Sequence, residues 1–210
     1  MTLRIQPNAT VLFQGDSITD AGRSRESDAD LGRGYAAMTA AWFSARYPDH
    51  NVRFVNRGIS GNRVKDLRAR WQVDCLDLAP TWVSILIGIN DTWRHYDAGD
   101  PTSADAFEAD YRAILEQTRD ALDAKLIILE PFVLPTPPDR AAWRVDLDPK
   151  IAVARRLARE FGALFVPLDG IFAKAATQRE MNFWAGDGVH PTPAGHALIA
   201  QAWLRAVAEE

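Results

Sequence analysis

The chain has 210 residues, of which 47% are hydrophobic and 25% charged, and its formal net charge at pH 7 is −4. This is the composition of an ordinary globular protein, and the length predicts a single domain over residues 1–210 with a full hydrophobic core. The acidic balance and the lack of a long basic run exclude nucleic acid as an expected partner.

Targeting signals and membrane spans are not visible in the sequence. Residues 1–7 lack the apolar segment of a signal peptide, and no run approaches the roughly 20 apolar residues that a spanning helix needs. We therefore expect a cytoplasmic protein without a membrane partner. Cys75 is the only cysteine, which excludes an internal disulfide or a cysteine-based zinc site.

Five short apolar runs predict the strands of a buried parallel sheet. They are continuous rather than alternating, as expected for strands that are covered on both faces. The runs span residues 9–13, 52–55, 82–87, 126–129 and 164–166. Four prolines within residues 131–138 predict a loop at the rim of the sheet.

Apolar residues at helical spacing fill three of the gaps between these strands. These faces carry Val64, Leu67, Trp71, Cys75 and Leu78; Phe107, Tyr111, Ile114, Leu115 and Leu122; and Ile151, Ala154, Leu157, Ala158 and Phe161. Thr102 with Asp105 is a candidate capping box for the second helix, and Thr192 before Pro193 predicts the start of the last. Strands alternating with helices predict an α/β fold.

Residues 32–37 fit the dinucleotide-binding fingerprint, Gly-Arg-Gly-Tyr-Ala-Ala. That fingerprint must directly follow a strand, whereas here a polar loop separates it from the first predicted strand. The segment is better interpreted as the start of a helix, and we expect no cofactor.

Ser17 lies just past the first predicted strand, in Gly15-Asp16-Ser17-Ile18. An open α/β sheet places its ligands at the carboxyl ends of its strands, and Gly15 allows a sharp turn there. Ser17 is therefore a candidate nucleophile. The competing interpretation is a turn serine, since Gly-Asp-Ser is common in loops.

Two further stretches follow the second and third strands and supply candidate hydrogen-bond donors. If the strand order is the flavodoxin-like 2-1-3-4-5, neighbouring strands lie about 5 Å apart, and Gly61 and Asn90 flank Ser17. Donors on both sides of a serine hydroxyl are what acyl transfer needs, because the carbonyl oxygen becomes negative in the transition state. With the N–H of Ser17, these residues are the candidate oxyanion hole.

A serine needs a base, and His190 is the best candidate because Asp187 lies three residues before it. The other histidines are His50 in a predicted turn, His95 after the third strand and His196 within the last helix. A structural histidine at a helix start is the alternative for His190. No metal is predicted, since the spacing of six between His190 and His196 does not bring them together on one helical face.

The sequence resembles a known family, the SGNH or GDSL hydrolases. Its four blocks occur here in order: Gly15-Asp16-Ser17, the oxyanion glycine at Gly61, the asparagine at Asn90, and the aspartate–histidine pair of Asp187 and His190. The longer strings are most similar to the acetylxylan esterase branch of intracellular sugar acetylesterases. One departure is that this branch has a tryptophan directly before the catalytic aspartate, whereas here two residues separate Trp184 from Asp187.

The resemblance implies a three-layer α/β/α sandwich and metal-free ester hydrolysis by the triad Ser17, His190 and Asp187. The expected substrate is a small acetylated sugar such as a xylo-oligosaccharide. Candidate substrate-binding residues are Asp16, Trp93, Arg94, Tyr96 and Trp184, although Asp16, Asp20 and Asp91 are also typical of carboxylates that accept backbone N–H groups around turns.

Two alternatives stay open at the level of sequence. One is a lysophospholipase or thioesterase that acts on longer acyl chains. The other, of a different class, is a non-catalytic carbohydrate-binding module on the same scaffold. The sequence does not decide whether the chain forms a homo-oligomer.

Overall fold

The computed structural model describes residues 3–208. Its sheet has five strands, β1 to β5 in chain order. They span Thr10–Gly15, Arg53–Asn56, Trp82–Leu86, Lys125–Leu129 and Leu164–Val166. The spatial order is β2-β1-β3-β4-β5, and every neighbouring pair is parallel. The predicted sheet and its strand order are confirmed.

Nine α-helices, α1 to α9, occur in the described part of the chain. They span Ser17–Asp20, Tyr35–Arg46, Val64–Asp74, Ile89–Ala98, Ala104–Ala121, Arg144–Glu160, Leu168–Ala176, Met181–Trp184 and Pro193–Val207. Short 3₁₀ segments occupy Pro48–His50, Leu76–Leu78 and Pro138–Trp143. Across residues 3–208, no helix combines the length and apolarity that crossing a membrane requires.

The core forms two layers because successive strand side chains point to opposite faces of the sheet. Val11 and Phe13 of β1 pack with α2, α7 and α9, whereas Leu12 between them packs with α3, α5 and α6. Helices therefore cover both faces, which confirms the α/β/α arrangement.

Two helix ends differ from the sequence prediction. Helix α3 ends at Asp74, and Cys75 and Leu78 continue its apolar face only because a 3₁₀ turn keeps them against the same core. The N-terminal cap of α5 is Ser103 rather than Thr102, because the Ser103 hydroxyl accepts the Ala106 N–H at 3.1 Å. Thr192 caps α9 as predicted.

Residues 32–37 lead into α2, whose first residue is Tyr35. Gly34 is the cap of that helix and follows a loop rather than a strand. The dinucleotide fingerprint in this segment therefore has the wrong structural context, as the sequence indicates.

Candidate active site

Ser17 lies at the sharp turn from β1 into α1. Gly15 ends the strand, and a side chain there would place its Cβ 2.4 Å from the Leu86 carbonyl oxygen, so glycine is required by close approach. The Asp16 carboxylate accepts the Ile18 N–H at 3.0 Å and caps the short helix. These contacts present Ser17 at the carboxyl end of β1.

A continuous hydrogen-bonded chain joins Ser17 to His190 and Asp187. Ser17 Oγ lies 3.0 Å from His190 Nε2, and His190 Nδ1 lies 2.6 Å from Asp187 Oδ2. The other carboxylate oxygen of Asp187 accepts the backbone N–H groups of Val189 and His190 at 3.0 and 2.7 Å. With the ring proton on Nδ1, His190 Nε2 faces the serine as an acceptor.

The proline-rich loop supports the segment that carries Asp187 and His190. Gly188 has φ +82°, and a Cβ there would lie 2.3 Å from the Thr136 carbonyl oxygen. The Leu134 N–H donates to the Gly188 carbonyl at 2.8 Å. Glycine at this position therefore lets the two loops pack backbone to backbone.

The pair of Asp187 and His190 is electrostatically coupled. The hydrogen bond that His190 donates to Asp187 is the main reason that the pKa of His190 lies above its ordinary value. Burial alone would raise the pKa of Asp187, but the hydrogen bonds from the His190 side chain and from two backbone N–H groups bring that pKa well below its usual range. The arrangement favours an ionised aspartate that stabilises an imidazolium.

Asp16 and Asp91 are fully buried carboxylates beneath the site. Burial raises the pKa of each to about 7, against backbone hydrogen bonds that lower it. Asp91 accepts the Val64 N–H at 3.1 Å, and Asp20 accepts the Ser60 N–H at 3.0 Å. All three aspartates thus accept backbone N–H groups, and the buried Asp16 side chain offers no surface to a substrate.

The loops that carry Ser17, Gly61 and Asn90 are hydrogen-bonded to one another at this edge of the sheet. Asn90, in the first turn of α4, donates from Nδ2 to the Asn62 carbonyl at 3.0 Å. The second amide hydrogen of Asn90 donates no hydrogen bond to the residues that the structure describes. Gly61 has φ +84°, and within residues 3–208 neither its N–H nor that of Ser17 donates a hydrogen bond.

Aromatic rings form one wall beside the histidine. The Trp93 ring centroid lies 5.6 Å from that of His190 and 5.1 Å from that of Trp143. Tyr96 stacks on Trp143 at 5.2 Å, and its hydroxyl donates to the Ala142 carbonyl. Trp93 and Tyr96, both proposed from the sequence, are thus joined through a third ring.

Trp143 and Arg140 belong to this wall but were missed at the level of sequence. The Arg140 guanidinium carbon lies 4.0 Å from the Trp143 ring centroid and 5.1 Å from that of Trp93. Arg140 Nε also donates to the Asp187 carbonyl at 3.2 Å. The nearest sequence signal was the proline-rich segment 131–138. It predicted a loop but did not indicate that the residues after it would contact Asp187.

Two other candidates point elsewhere. Arg94 forms an ion pair with Asp97 on its own helix. Trp184 donates its indole N–H to the Ala175 carbonyl of α7 at 3.1 Å, and its ring packs edge-on against Phe183. Neither side chain has a described contact with Ser17 or His190.

The other histidines are engaged away from Ser17. His95 lies 3.4 Å from the Asp146 carboxylate and stacks on Tyr96. His196 accepts the Tyr35 N–H at 3.1 Å, and burial lowers its pKa to about 4. Residues 3–208 contain no group of three histidine, cysteine or acidic side chains that could hold a metal ion.

The fold and the site define the class of protein: an α/β ester hydrolase. The model of the GDSL-like lipase/acylhydrolase family matches residues 13–198, and the chain belongs to this family. An acetylxylan esterase of Geobacillus stearothermophilus is 37% identical over 216 residues, which cover 99% of this chain and 98% of that one. Together these findings identify the protein as a carboxylic ester hydrolase.

Solved structures agree over nearly the whole chain. A GDSL-like lipase from Parabacteroides merdae has a TM-score of 0.94 at 36% identity, with 99% of each chain covered. Axe2, an acetylxylan esterase from Geobacillus stearothermophilus, has a TM-score of 0.89 at 36% identity, covering 99% of this chain and 98% of its own. Catalytic mutants of Axe2 have been solved in which a serine, an aspartate or a histidine is replaced by alanine.

Proposed function

We propose that this chain is a serine esterase that removes acetyl groups from acetylated sugars, with xylo-oligosaccharides as the favoured class. The observation that carries the proposal is the hydrogen-bonded chain from Ser17 through His190 to Asp187. The serine, histidine and aspartate of the Axe2 catalytic mutants are the same three residue types. That relative is described as an acetylxylan esterase.

The reaction follows from the geometry in two balanced halves. Ser17 Oγ attacks the ester carbonyl carbon while His190 Nε2 takes the hydroxyl proton. The carbonyl oxygen becomes an oxyanion that accepts the N–H groups of Ser17 and Gly61 and the second amide hydrogen of Asn90. When the C–O bond to the sugar breaks, His190 returns the proton to the departing alkoxide and an acetyl-serine remains.

Water then completes the cycle. His190 takes a proton from a water molecule whose oxygen attacks the acetyl carbonyl, and the same three donors stabilise the second oxyanion. Collapse breaks the bond to Ser17 Oγ, which recovers its proton from His190, and acetate leaves. Asp187 stays ionised throughout and stabilises the imidazolium in both halves.

The surroundings of the triad favour a sugar over a fatty chain. The half-buried Trp93 lies next to His190, and the buried Trp143 joins it to the exposed ring of Tyr96. Aromatic rings of this kind suit the apolar face of a sugar ring. A lysophospholipase or thioesterase needs instead a slot for a long acyl chain. A carbohydrate-binding module needs no nucleophile and no base, whereas here both are present and hydrogen-bonded.

An ester panel tests the proposal. We expect kcat/KM to fall from p-nitrophenyl acetate through the butyrate to the octanoate, and acetylated xylo-oligosaccharides to release acetate. Each CH₂ buried in an acyl slot is worth about 0.8 kcal/mol, so a long-chain enzyme would gain about fourfold per methylene. A maximum at octanoate would contradict the acetylesterase assignment.

The matched controls are Ser17→Ala and His190→Ala. Each should lower kcat by roughly 10⁴-fold or more, and the double variant should lose little further because the residues act as a unit. A fluorophosphonate should label the native protein but not Ser17→Ala. Absence of both labelling and turnover in the native protein would favour the binding module.

A further inference from the structure

Arg70 on α3 lies under the site without a role in the reaction as described above. Its side chain is only 15% exposed, although it carries a full positive charge. It forms an ion pair with Asp74 one turn later, at 2.9 Å. A buried cation of this kind is costly unless its other donors also find acceptors.

The remaining donors of Arg70 reach two segments that build the active site. Nε donates to Asn62 Oδ1 at 2.9 Å. Nη1 donates to Gln14 Oε1 at 3.1 Å, and Nη2 lies 3.4 Å from the Gly15 carbonyl oxygen. Gln14 is itself fully buried and donates to the Asp74 carbonyl at 2.6 Å. One guanidinium therefore joins the end of β1 to the loop after β2.

The position of Asn62 makes this connection significant. Asn62 directly follows Gly61, and its carbonyl accepts the Asn90 amide. Arg70 thus holds the side chain of Asn62. The backbone of Asn62 joins both proposed donors, through a peptide bond to Gly61 and a hydrogen bond from Asn90. Gly15, the third acceptor, lies two residues before Ser17.

We propose that Arg70 is a positioning residue for the oxyanion hole, acting through Asn62. The proposal rests on the proposed function, since it assigns Gly61 and Asn90 to the oxyanion. A planar guanidinium presents donors in a fixed fork, so its bonds to Asn62, Gln14 and Gly15 set the distance between the two loops. Tenths of an ångström matter there, because oxyanion donors must lie within about 2.7–3.1 Å of the developing charge.

Two variants distinguish the hydrogen bonds of the Arg70 guanidinium from its positive charge. Arg70→Lys keeps the cation beside Asp74 but cannot bond Asn62, Gln14 and Gly15 together. Asn62→Ala leaves Arg70 in place, keeps the backbone carbonyl that binds Asn90, and removes only the acceptor at the end of the fork. The matched control is Arg68→Met, which removes a half-exposed arginine from the same helix and breaks its ion pair with Asp110.

We expect Arg70→Lys and Asn62→Ala each to lower kcat by about 10- to 100-fold with KM changed by less than about threefold, because a displaced oxyanion donor acts mainly in the transition state. Arg68→Met should stay within about twofold of the native kcat. Circular dichroism and Tm establish that each variant is folded, and Asn62→Ala decides the outcome if Arg70→Lys does not fold.

A double-variant cycle distinguishes positioning from general destabilisation. If Arg70 acts through the oxyanion hole, Asn90→Ala costs less kcat in the Arg70→Lys background than in the native one. The inference would be overturned if the kcat losses of Asn90→Ala and Arg70→Lys simply multiplied in the double variant. It would also be overturned if Arg70→Lys and Asn62→Ala both kept a kcat near that of Arg68→Met. Ser17→Ala is assayed in parallel, and a kcat near the native value there would refute the proposed function. A Ser17→Ala variant that loses about 10⁴-fold in kcat, beside fully active Arg70→Lys and Asn62→Ala, would refute this inference alone.

Discussion

In the proposed mechanism, the protonation state of His190 governs the reactivity of Ser17. A neutral imidazole accepts the serine proton at Nε2, whereas an imidazolium cannot. Because Asp187 raises the pKa of His190, the acid limb of activity depends on this one hydrogen bond. In that mechanism, Asp187 both orients the ring and sets the lower pH limit of activity.

We expect the acid limb of kcat/KM to lie above pH 6.5, the ordinary pKa of histidine, since activity is lost as pH falls through the raised value. Asp187→Asn removes the charge that favours the imidazolium, so the limb should move to lower pH while kcat falls by about 10⁴-fold. The measurement is kcat/KM against pH with p-nitrophenyl acetate.

The control for this profile is Asp120→Asn, which removes an exposed carboxylate on α5 that pairs with Arg119. Its acid limb should coincide with that of the native enzyme. An acid limb that stayed in place in Asp187→Asn would show that another group controls the profile, and His95, which also has a carboxylate neighbour, would be the next to test.

Asp16 shows how a single residue can be interpreted only partly from sequence. Its place beside Ser17 made it a candidate for substrate contact as well as for capping. The structure buries it completely, with Oδ1 bonded to the Ile18 N–H and Oδ2 without a partner among the described residues. Burial depends on what packs over the turn, and residue type and spacing do not encode that.

At the scale of elements, the start of α4 carries Asn90, the proposed side-chain donor of the oxyanion hole. Gly88 has φ +130° and turns the chain from β3 into the helix, so Asn90 falls in its first turn and faces the loop after β2. The backbone dipoles of that turn place partial positive charge at the same end. Helix and side chain together favour a negative oxygen there.

Asn90→Ala should lower kcat by about 10²- to 10³-fold with a smaller change in KM, since the donor acts on the oxyanion and only weakly on the ground-state carbonyl. Steady-state kinetics on p-nitrophenyl acetate measure both constants. Should KM rise strongly while kcat is retained, Asn90 would instead bind the substrate.

The conservative control at this position is Asn90→Asp, which keeps the size of the side chain but replaces a donor by a carboxylate. It should be at least as inactive as the alanine variant, because negative charge beside the oxyanion opposes its formation. A carboxylate variant with substantial activity would argue that the amide has no donor role.

Element boundaries were predictable where local chemistry decides them. Thr192 with Pro193 starts α9 because a hydroxyl acceptor and a fixed φ both favour a helix start. Ser103 rather than Thr102 caps α5, since two neighbouring hydroxyl residues make equally good local signals and tertiary packing buries Thr102. Arg140 contacts Asp187, which lies 47 residues further along the chain, and no local sequence pattern indicates such a contact.

At the scale of the whole molecule, strand order is what assembles the site. Ser17, Gly61 and Asn90 follow β1, β2 and β3, and the order β2-β1-β3 makes these three ends neighbours. Strands alternating with helices predicted the parallel sheet, and the flavodoxin-like order assumed for it is the order found. The aspartate–histidine segment comes from the far end of the chain, between α8 and α9. It was proposed as the partner of Ser17 because Asp187 lies three residues before His190, and strand order does not place it.

The whole molecule also limits which other chemistries are available. Cys75 is fully buried in the layer formed with α3 and α5, and burial raises its pKa to about 12. A thiol with such a pKa is protonated at neutral pH and does not act as a nucleophile. Residues 3–208 contain no cluster with the donor set that a metal ion requires.

We therefore expect full turnover after EDTA treatment and dialysis, with no gain from added zinc or manganese. Cys75→Ala should retain the native kcat and KM while lowering Tm, because it removes a sulfur atom from a packed core and leaves a small cavity there. The matched comparison is Ser17→Ala, which should retain its Tm and lose activity. Activity that vanished with EDTA and returned with zinc would contradict a metal-free serine mechanism, and loss of kcat in a folded Cys75→Ala would contradict the assignment of the nucleophile to Ser17.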